Sequence, residues 1–418
     1  MGGAGAAAGL SGCIGSLTGG GGNVVFGQPA ALTGKWDYLQ ESVTRVTRMA
    51  KEDINDAGGI NGKTLEISRR DTGVNPQKAR TVTKQLINQD SAVALLGLYS
   101  SEIVPLWDYL QSLETPIITP WPGSRFLDNK GGDKGTPEDL SDDEWVWRTI
   151  IHDSVHTAGA ALTAADTADT VAVVHGSSAG ETGWAEAFGD AVEVIDGLEI
   201  SKTLEVAEGK TTYQSEVSRL FESDFDAWAL ALGAKDAITL MKNWIEGGYG
   251  RPLIGEDTLA QAEVYNTLGD QLSKVDVKVA KPSSSGPVAE TVTSRFEDRW
   301  PDVDLNPWGL SSYEATIVPA LAAHRAESTK PKDIEKNIGP VARGPGKKVQ
   351  TYEAGKKALD NGDEINFQGA GSTVNFTGDG NVVGPTVVEA VTPGGAEEVD
   401  TVSEERIKKV LTDPNYGK

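Results

Sequence analysis

Ala92-Val93-Ala94-Leu95-Leu96-Gly97-Leu98-Tyr99-Ser100-Ser101 runs apolar without alternation, turns at a glycine and ends on two serines at the head of a helical pattern over 101–113. A strand that is apolar on both faces must be covered on both faces, as it is inside a parallel sheet layered between helices. Residues 116–119 bring the next strand, so the stretch reads as one βαβ unit. Before it, 24–26 is a strand and 41–57 a helix with Val43, Val46, Met49, Ala50 and Ile54 on one face. A strand at 65–68 and a helix at 76–88 complete the series. A second run begins after Trp145-Val146-Trp147-Arg148, with strands at 171–175, 227–232 and 253–255 and helices near 184–195, 213–221 and 234–247. Two such runs predict an α/β protein with two parallel sheets in series.

The interruptions are informative too. Residues 128–143 are rich in glycine and acid and lack hydrophobic period, so a surface loop is expected. Lys281-Pro282-Ser283-Ser284-Ser285-Gly286-Pro287 breaks the pattern before helices at 288–300 and 310–326, as a crossover between sheets would. A last strand pair is expected from 373–376 and 387–391 around the turn Gly378-Asp379-Gly380-Asn381.

Charge bounds the partners. The 418 residues carry 61 Asp and Glu against 38 Lys and Arg, a net charge of -23, and the acids are spread through the chain. Such a surface repels itself in dilute buffer and is screened at molar salt, where the Debye length is about 3 Å. We read salt adaptation in it. No basic stripe exists to neutralise phosphates, which argues against a nucleic-acid partner.

The lone cysteine, Cys13, ends Leu10-Ser11-Gly12-Cys13 after a small, apolar run, and a glycine-rich tether continues over 15–23. This is the pattern of a lipoprotein signal with Cys13 as the lipid attachment point. The expected location is extracytoplasmic, on the outer face of the cell membrane, with membrane contact through the anchor only. The basic region of a complete signal is absent before Lys35, which points to a start inside the signal. With one cysteine there is no intrachain disulfide, so the core alone must hold the fold.

A resemblance becomes specific at Lys51-Glu52-Asp53-Ile54-Asn55-Asp56-Ala57-Gly58-Gly59-Ile60-Asn61-Gly62-Lys63, Arg70-Asp71-Thr72, Leu96-Gly97-Leu98-Tyr99-Ser100-Ser101 and Pro116-Ile117-Ile118-Thr119-Pro120. It continues through Trp147-Arg148-Thr149, Ser312-Tyr313-Glu314-Ala315 and Ile365-Asn366-Phe367-Gln368-Gly369-Ala370. Over roughly 24–391 the chain resembles the leucine/isoleucine/valine-binding family of extracytoplasmic solute receptors that feed ABC importers. The resemblance implies the type I periplasmic-binding-protein fold: two Rossmann-like lobes joined by three crossover segments, with ligand enclosed between them. Lobe one is expected at 24–151 with 282–384, and lobe two at 152–281 with 385–402. Residues 1–23 form the signal and tether, and 403–418 a polar tail with a short helix.

The implied function is capture of a small polar solute, an amino acid foremost, for ABC permease subunits, without catalysis or cofactor. A zwitterion needs donors for its carboxylate and an acceptor for its ammonium. Ser100 and Ser101 head a helix after one strand, where free amides favour an anion; the alternative is that they only cap it. Trp121 and Ser124 come after the next strand, as a wall and a second hydroxyl. From the other lobe Asp257, with Glu256 beside it, stands where amino-acid-binding members of the family carry the ammonium partner. Tyr38 or Trp36 lies in the first loop, where the family presents an aromatic to the side-chain pocket. Thr182, in Glu181-Thr182-Gly183, and Gly233-Ala234-Lys235 stand where amino-acid binders have tyrosines. Receptors for urea, short amides or aromatic acids, or a sensor of the same fold, therefore stay open as alternatives.

Two enzyme readings compete. Gly176-Ser177-Ser178-Ala179-Gly180 matches G-x-S-x-G, which in a secreted esterase would present Ser178 with His324 as base, but the apolar helix period begins only after Glu181-Thr182-Gly183. His152 and His156 have the i, i+4 spacing of a zinc helix, but Asp153 or Ser154 reads better as the N-cap of a helix over 156–165. Neither displaces the receptor.

Overall fold

The computed structural model describes residues 22–34, 37–133, 145–283 and 285–418. Cys13, Trp36 and most of the acidic insertion lie outside the described residues.

The first lobe is built on a five-stranded sheet of β1 (Val24–Ala30), β2 (Leu65–Asp71), β3 (Ala92–Leu96), β4 (Ile117–Thr119) and β5 (Val146–Arg148). Its order is β2-β1-β3-β4-β5, parallel throughout, with Val24 opposite Leu65 and Leu95 opposite Ile117. The second lobe holds β6 (Thr170–His175), β7 (Glu199–Glu205), β8 (Ala227–Ala231), β9 (Leu253–Gly255) and β10 (Val277–Pro282). A small parallel pair, β11 (Lys347–Val349) and β12 (Ile365–Phe367), belongs to the return through the first lobe. β13 (Thr386–Thr392) and β14 (Gly395–Val402) then extend the second sheet antiparallel, giving the order β14-β13-β10-β9-β8-β6-β7. The central strands are apolar because helices cover both faces: all five residues of β8 are buried.

The chain passes between the lobes three times, near 148–153, 281–287 and 381–386, and the passages are tied together. The Arg148 amide donates to Gly380 O (2.8 Å) and the Ser283 amide to Pro385 O (3.0 Å). Three crossover strands held side by side form a hinge that can bend without twisting apart.

Some expectations are corrected. Residues 373–376 form no strand; β13 pairs with β14 around Pro393-Gly394 instead. Val374 has φ +59°, which breaks the extended run, and Val374 and Phe376 are buried in a loop. Their alternation records loop burial, with Phe376 edge-on to Trp147 at 5.0 Å. The helix expected from His156 begins at Asp153 with His152 at its N-cap, so neither Asp153 nor Ser154 caps it. The helix expected near 184 begins at Ala179, directly after Ser178. Its first turn, Ala179-Gly180-Glu181-Thr182, has no large apolar residue, and Glu181 is spent on the Ser178 cap and the Gly233 amide. β7 escapes a sequence reading because Glu-Ile-Ser-Lys-Thr-Leu-Glu is an edge strand with mostly exposed side chains.

The stretches that carry the resemblance form the scaffold. Asp53 accepts from Tyr313 Oη (2.9 Å) and from both Arg295 terminal nitrogens (2.9 and 2.6 Å). Tyr352 Oη donates to Gly59 O at 3.0 Å. Gly59 has φ +72°, and a Cβ there would lie 2.0 Å from Lys63 O, so this turn admits only glycine.

Candidate functional site

The carboxyl end of β3 opens the site. Gly97, at φ +147°, lets the backbone pass Pro29 O, where a Cβ would sit at 2.4 Å. Tyr99 becomes the N-cap of helix Ser100–Gln111, and the buried Glu102 carboxylate accepts the Tyr99 amide at 2.9 Å. The side-chain cap is thus the Glu102 carboxylate on the Tyr99 amide, and does not call on Ser100, the first helical residue. Ser124 caps the short turn Arg125–Leu127 by accepting from the Phe126 amide at 3.3 Å, and its own amide donates to Ser100 Oγ at 3.4 Å. The two loops after β3 and β4 therefore form one polar ledge.

The second lobe faces it with Glu256 and Asp257 after β9, Asp153 and His156 on helix Asp153–Ala165, and Gly180, Gly183 and Trp184 on helix Ala179–Val194. The cavity between has a volume of about 1320 Å³. Burial first, then the charges of Asp257 and Glu181, push the Glu256 carboxyl up to about 7. Burial lowers His156 against the opposing pull of Asp153 and Asp257, and its Nε2 is buried without a hydrogen-bond partner. Trp184 stacks on Phe188 at 5.2 Å and supplies a flat apolar wall.

Behind the cavity, Arg148 is 1% exposed and spends its whole guanidinium on the hinge. Nε donates to Asn381 Oδ1 (3.0 Å), one terminal nitrogen to the carbonyls of Pro122, Gly123 and Ser124 (3.4, 3.3 and 3.0 Å), and the other to Asp128 Oδ1 (2.8 Å). Burial works against the Asp128 carboxylate, yet His152 and Arg148 together hold it well below its ordinary value. Across the rim Arg125 of the first lobe pairs with Glu186 (3.2 Å) and Asp190 of the second.

Of the residues expected at the site, Ser100, Ser124, Glu256 and Asp257 line this cavity. Ser101 is exposed on the outer side of its helix. Trp121 turns away into a buried stack, 4.3 Å from Tyr99 and 6.1 Å from Trp308. Thr182 is half-buried in its helix and Tyr38 is 67% exposed; neither lines the cavity. Residues missed from the sequence include Asp153, His156, Trp184 and Arg125. The signal available for Trp184 is a large aromatic in the second turn of the helix that follows a strand, where the residues before it include no other large apolar side chain.

The Ser178 hydroxyl donates to Glu181 Oε2 (2.6 Å) and accepts the Glu181 amide (3.4 Å), a capping box. The helix does start directly after this serine, contrary to the expectation from its apolar period, so the elbow geometry is no argument against an esterase. The expected base is one: His324 pairs with Asp360 at 2.8 Å, and the Ser178 hydroxyl is spent on Glu181. His152 pairs with Asp128 at 3.1 Å, whereas the His156 Nε2 has no hydrogen-bond partner, and both side chains line the cavity. Among the described residues no three His, Cys, Asp or Glu side chains converge as metal ligands, and no helix is long and apolar enough to cross a membrane.

Residues 23–388 match the family described as periplasmic binding protein. A substrate-binding protein of the chemotactic signal transduction system of Halobacterium salinarum, BasB, is 24% identical over 384 residues, 88% of this chain and 86% of that protein. An amino acid binding protein of Pseudomonas aeruginosa is 36% identical over 103 residues, 24% of this chain and 27% of that protein. Among solved structures, the branched-chain amino acid transporter substrate binding protein LivJ of Streptococcus pneumoniae, in complex with isoleucine, superimposes with TM-score 0.58 at 18% identity, covering 90% of this chain and 99% of that one. A solute binding protein of R. palustris in complex with benzoate gives TM-score 0.58 at 15% identity, covering 91% and 96%.

Proposed function

We propose that this chain, which belongs to the periplasmic binding protein family, captures an amino acid between its lobes and hands it to an ABC permease at the cell surface. One observation carries this reading: the two walls of a single cavity have opposite preferences. The first lobe offers Ser100, the Ser124 loop, Arg125 and a helix N-terminus suited to a carboxylate, beside Asp379 and an Asp128 already paired with Arg148. The second offers Asp257, Glu256 and Asp153, suited to an ammonium. Trp184 favours an apolar side chain between them. Lobe boundaries at 24–151 with 282–384 and at 152–281 with 385–402, and attachment through Cys13, belong to the same proposal.

A thermal-shift screen of the body in molar KCl tests it. Leucine, isoleucine or valine at about 100 times Kd should add about 2.7 kcal/mol to stability, and the shift should vanish in Asp257→Ala. A shift only with urea, short amides or benzoate would sink the zwitterion site.

The Glu256 carboxyl supplies a pH test. Its native value of about 7 lies above the unfolded value of 4.5, so the folded state holds the proton longer. Its contribution is fully present below about 4.5 and is lost as pH rises through about 7. Unfolding profiles of the ligand-free chain should fall over that window, and Glu256→Gln should flatten the fall; an unchanged slope would contradict the burial assigned to this group.

A second reading has its own support: the Halobacterium relative is named for chemotactic signalling. Deletion of the neighbouring permease separates the two. Loss of uptake indicates delivery, whereas an intact behavioural response to the ligand indicates sensing.

A further inference from the structure

The family match ends at residue 388, and the chain continues to Lys418. The segment beyond β14 does not lie idle on the surface. Helix Glu404–Leu411 buries Ile407 and Val410 and packs on helix Asp153–Ala165. Arg406 forks onto Asp166 of the same lobe at 3.1 and 2.7 Å. The last turn then runs along the cavity, which Leu411, Thr412, Asp413, Tyr416 and Gly417 line.

Tyr416 reaches furthest. Its ring packs against the core, and its hydroxyl is buried beside Ser154 without a hydrogen bond of good geometry. The tail meets the groups that join the lobes, Asp128 and Arg125 of the first and Asp190 of the second: all line one cavity with Tyr416 and Gly417 or pair across its rim, Ser154 beside the hydroxyl donates to Asp128, and a Cβ on Gly417 would lie 3.6 Å from Asp190 Oδ2. Those residues include the rim pair Arg125–Asp190 and the Asp128 end of the hinge network.

We propose that the C-terminal segment 404–417 is a strap of the binding cleft, anchored on the second lobe and reaching the first through Tyr416, so that it holds the lobes together and walls one end of the site. A segment fixed at one lobe and wedged at the other must lose its distal contact when the hinge opens, and therefore biases the lobes toward closure. That the walled space is the ligand site rests on the function proposed above; that the strap holds the lobes does not.

The experiment is accordingly made without ligand. The full chain, Tyr416→Ala and a chain ending after Leu411 are compared in molar KCl by solution scattering and by hydrogen exchange of the segments around 123–127 and 180–184. Both variants should show a larger radius of gyration and about ten-fold faster exchange in those two segments, with exchange in β8 unchanged. Unchanged radius and exchange in both variants would make the tail an appendage and overturn the proposal. Should the truncation unfold the chain, Tyr416→Ala decides alone. Should that unfold too, Arg406→Ala decides: it frees only the exposed fork on Asp166, and must speed exchange in the same two segments, whereas parental exchange there would overturn the strap. If no amino acid shifts the parent's melting point but the variants still open, the ligand class falls and the strap stands.

Discussion

Arg148→Ala is expected to lower the unfolding free energy by about 4 kcal/mol, as removal of one partner from a buried ion pair does. The guanidinium meets five acceptors, and alanine leaves them all: the Asp128 carboxylate, Asn381 Oδ1 and the carbonyls of Pro122, Gly123 and Ser124. Lysine should recover little, because a single ammonium cannot match a planar fork that spans two crossovers and a loop. The three carbonyls belong to the loop that carries Ser124 into the cavity, so any ligand that shifts the melting point of the parent should do so less in Arg148→Lys, even at saturating salt. Denaturant unfolding in molar KCl reads the stability. A loss below about 1 kcal/mol for Arg148→Ala would show that water replaces the guanidinium and that the hinge does not depend on it. The double variant Arg148→Met, Asp128→Leu should be less unstable than Arg148→Ala, since it removes the stranded charge together with its partner.

The fold was legible where the physics is local. β3 is apolar on both faces because helices cover both, and its run of five buried or nearly buried residues stands out in sequence. β7 and β10 were not legible: the first is an exposed edge strand with charged residues, and the second carries Lys278 and Lys281 and runs into the proline and serine of a crossover. Part of the cavity lining was legible at strand ends, where the chain must turn and the sheet cannot use the side chains; Ser100 and Ser124 were expected there on that ground, Glu256 and Asp257 through the family resemblance as well, and all four line the cavity. The lining was not legible where a side chain's direction is set by the path of a loop. Trp121 and Ser124 share one loop, yet the indole goes to a buried stack and the serine to the cavity. Nor does sequence separation warn that Tyr416 comes to line the same cavity as Asp128. Gly123 shows how tight such meetings are: a Cβ there would be 2.3 Å from Asp153 Oδ1, so the first helix of the second lobe seats itself against the loop only because that residue is glycine.

Glu314→Ala should cost about as much as Arg148→Ala, about 4 kcal/mol, for a different reason. Glu314 lies on helix Pro307–Arg325 with no exposed surface, and its two oxygens accept the amides of Ala370 (3.0 Å), Gly371 (2.9 Å) and Ser372 (3.1 Å). Two of the stretches by which the chain resembles its family, one around 312–315 and one around 365–370, are thus the two halves of one interaction. Such a pair marks the scaffold and is blind to the ligand, which is why the resemblance specifies the family well and the substrate poorly. Alanine strands three buried amides, each worth about 1–3 kcal/mol when unsatisfied. Gly371→Ala tests the other half: its Cβ would lie 2.3 Å from Ser311 Oγ and 2.8 Å from Glu314 Oε1, so it should also destabilise. Burial pushes the Glu314 carboxyl up to about 8 against the pull of the three amides. Because 8 exceeds the unfolded value of 4.5, the folded state keeps the proton longer, and stability is lost as pH rises from about 4.5 through 8. Glu314→Gln cannot ionise and retains one oxygen for the amides, so its unfolding free energy should lie between the parent and Glu314→Ala and should vary less over that window. A parent and a glutamine variant with parallel pH profiles would mean that the three amides, and not burial, set the charge of this residue.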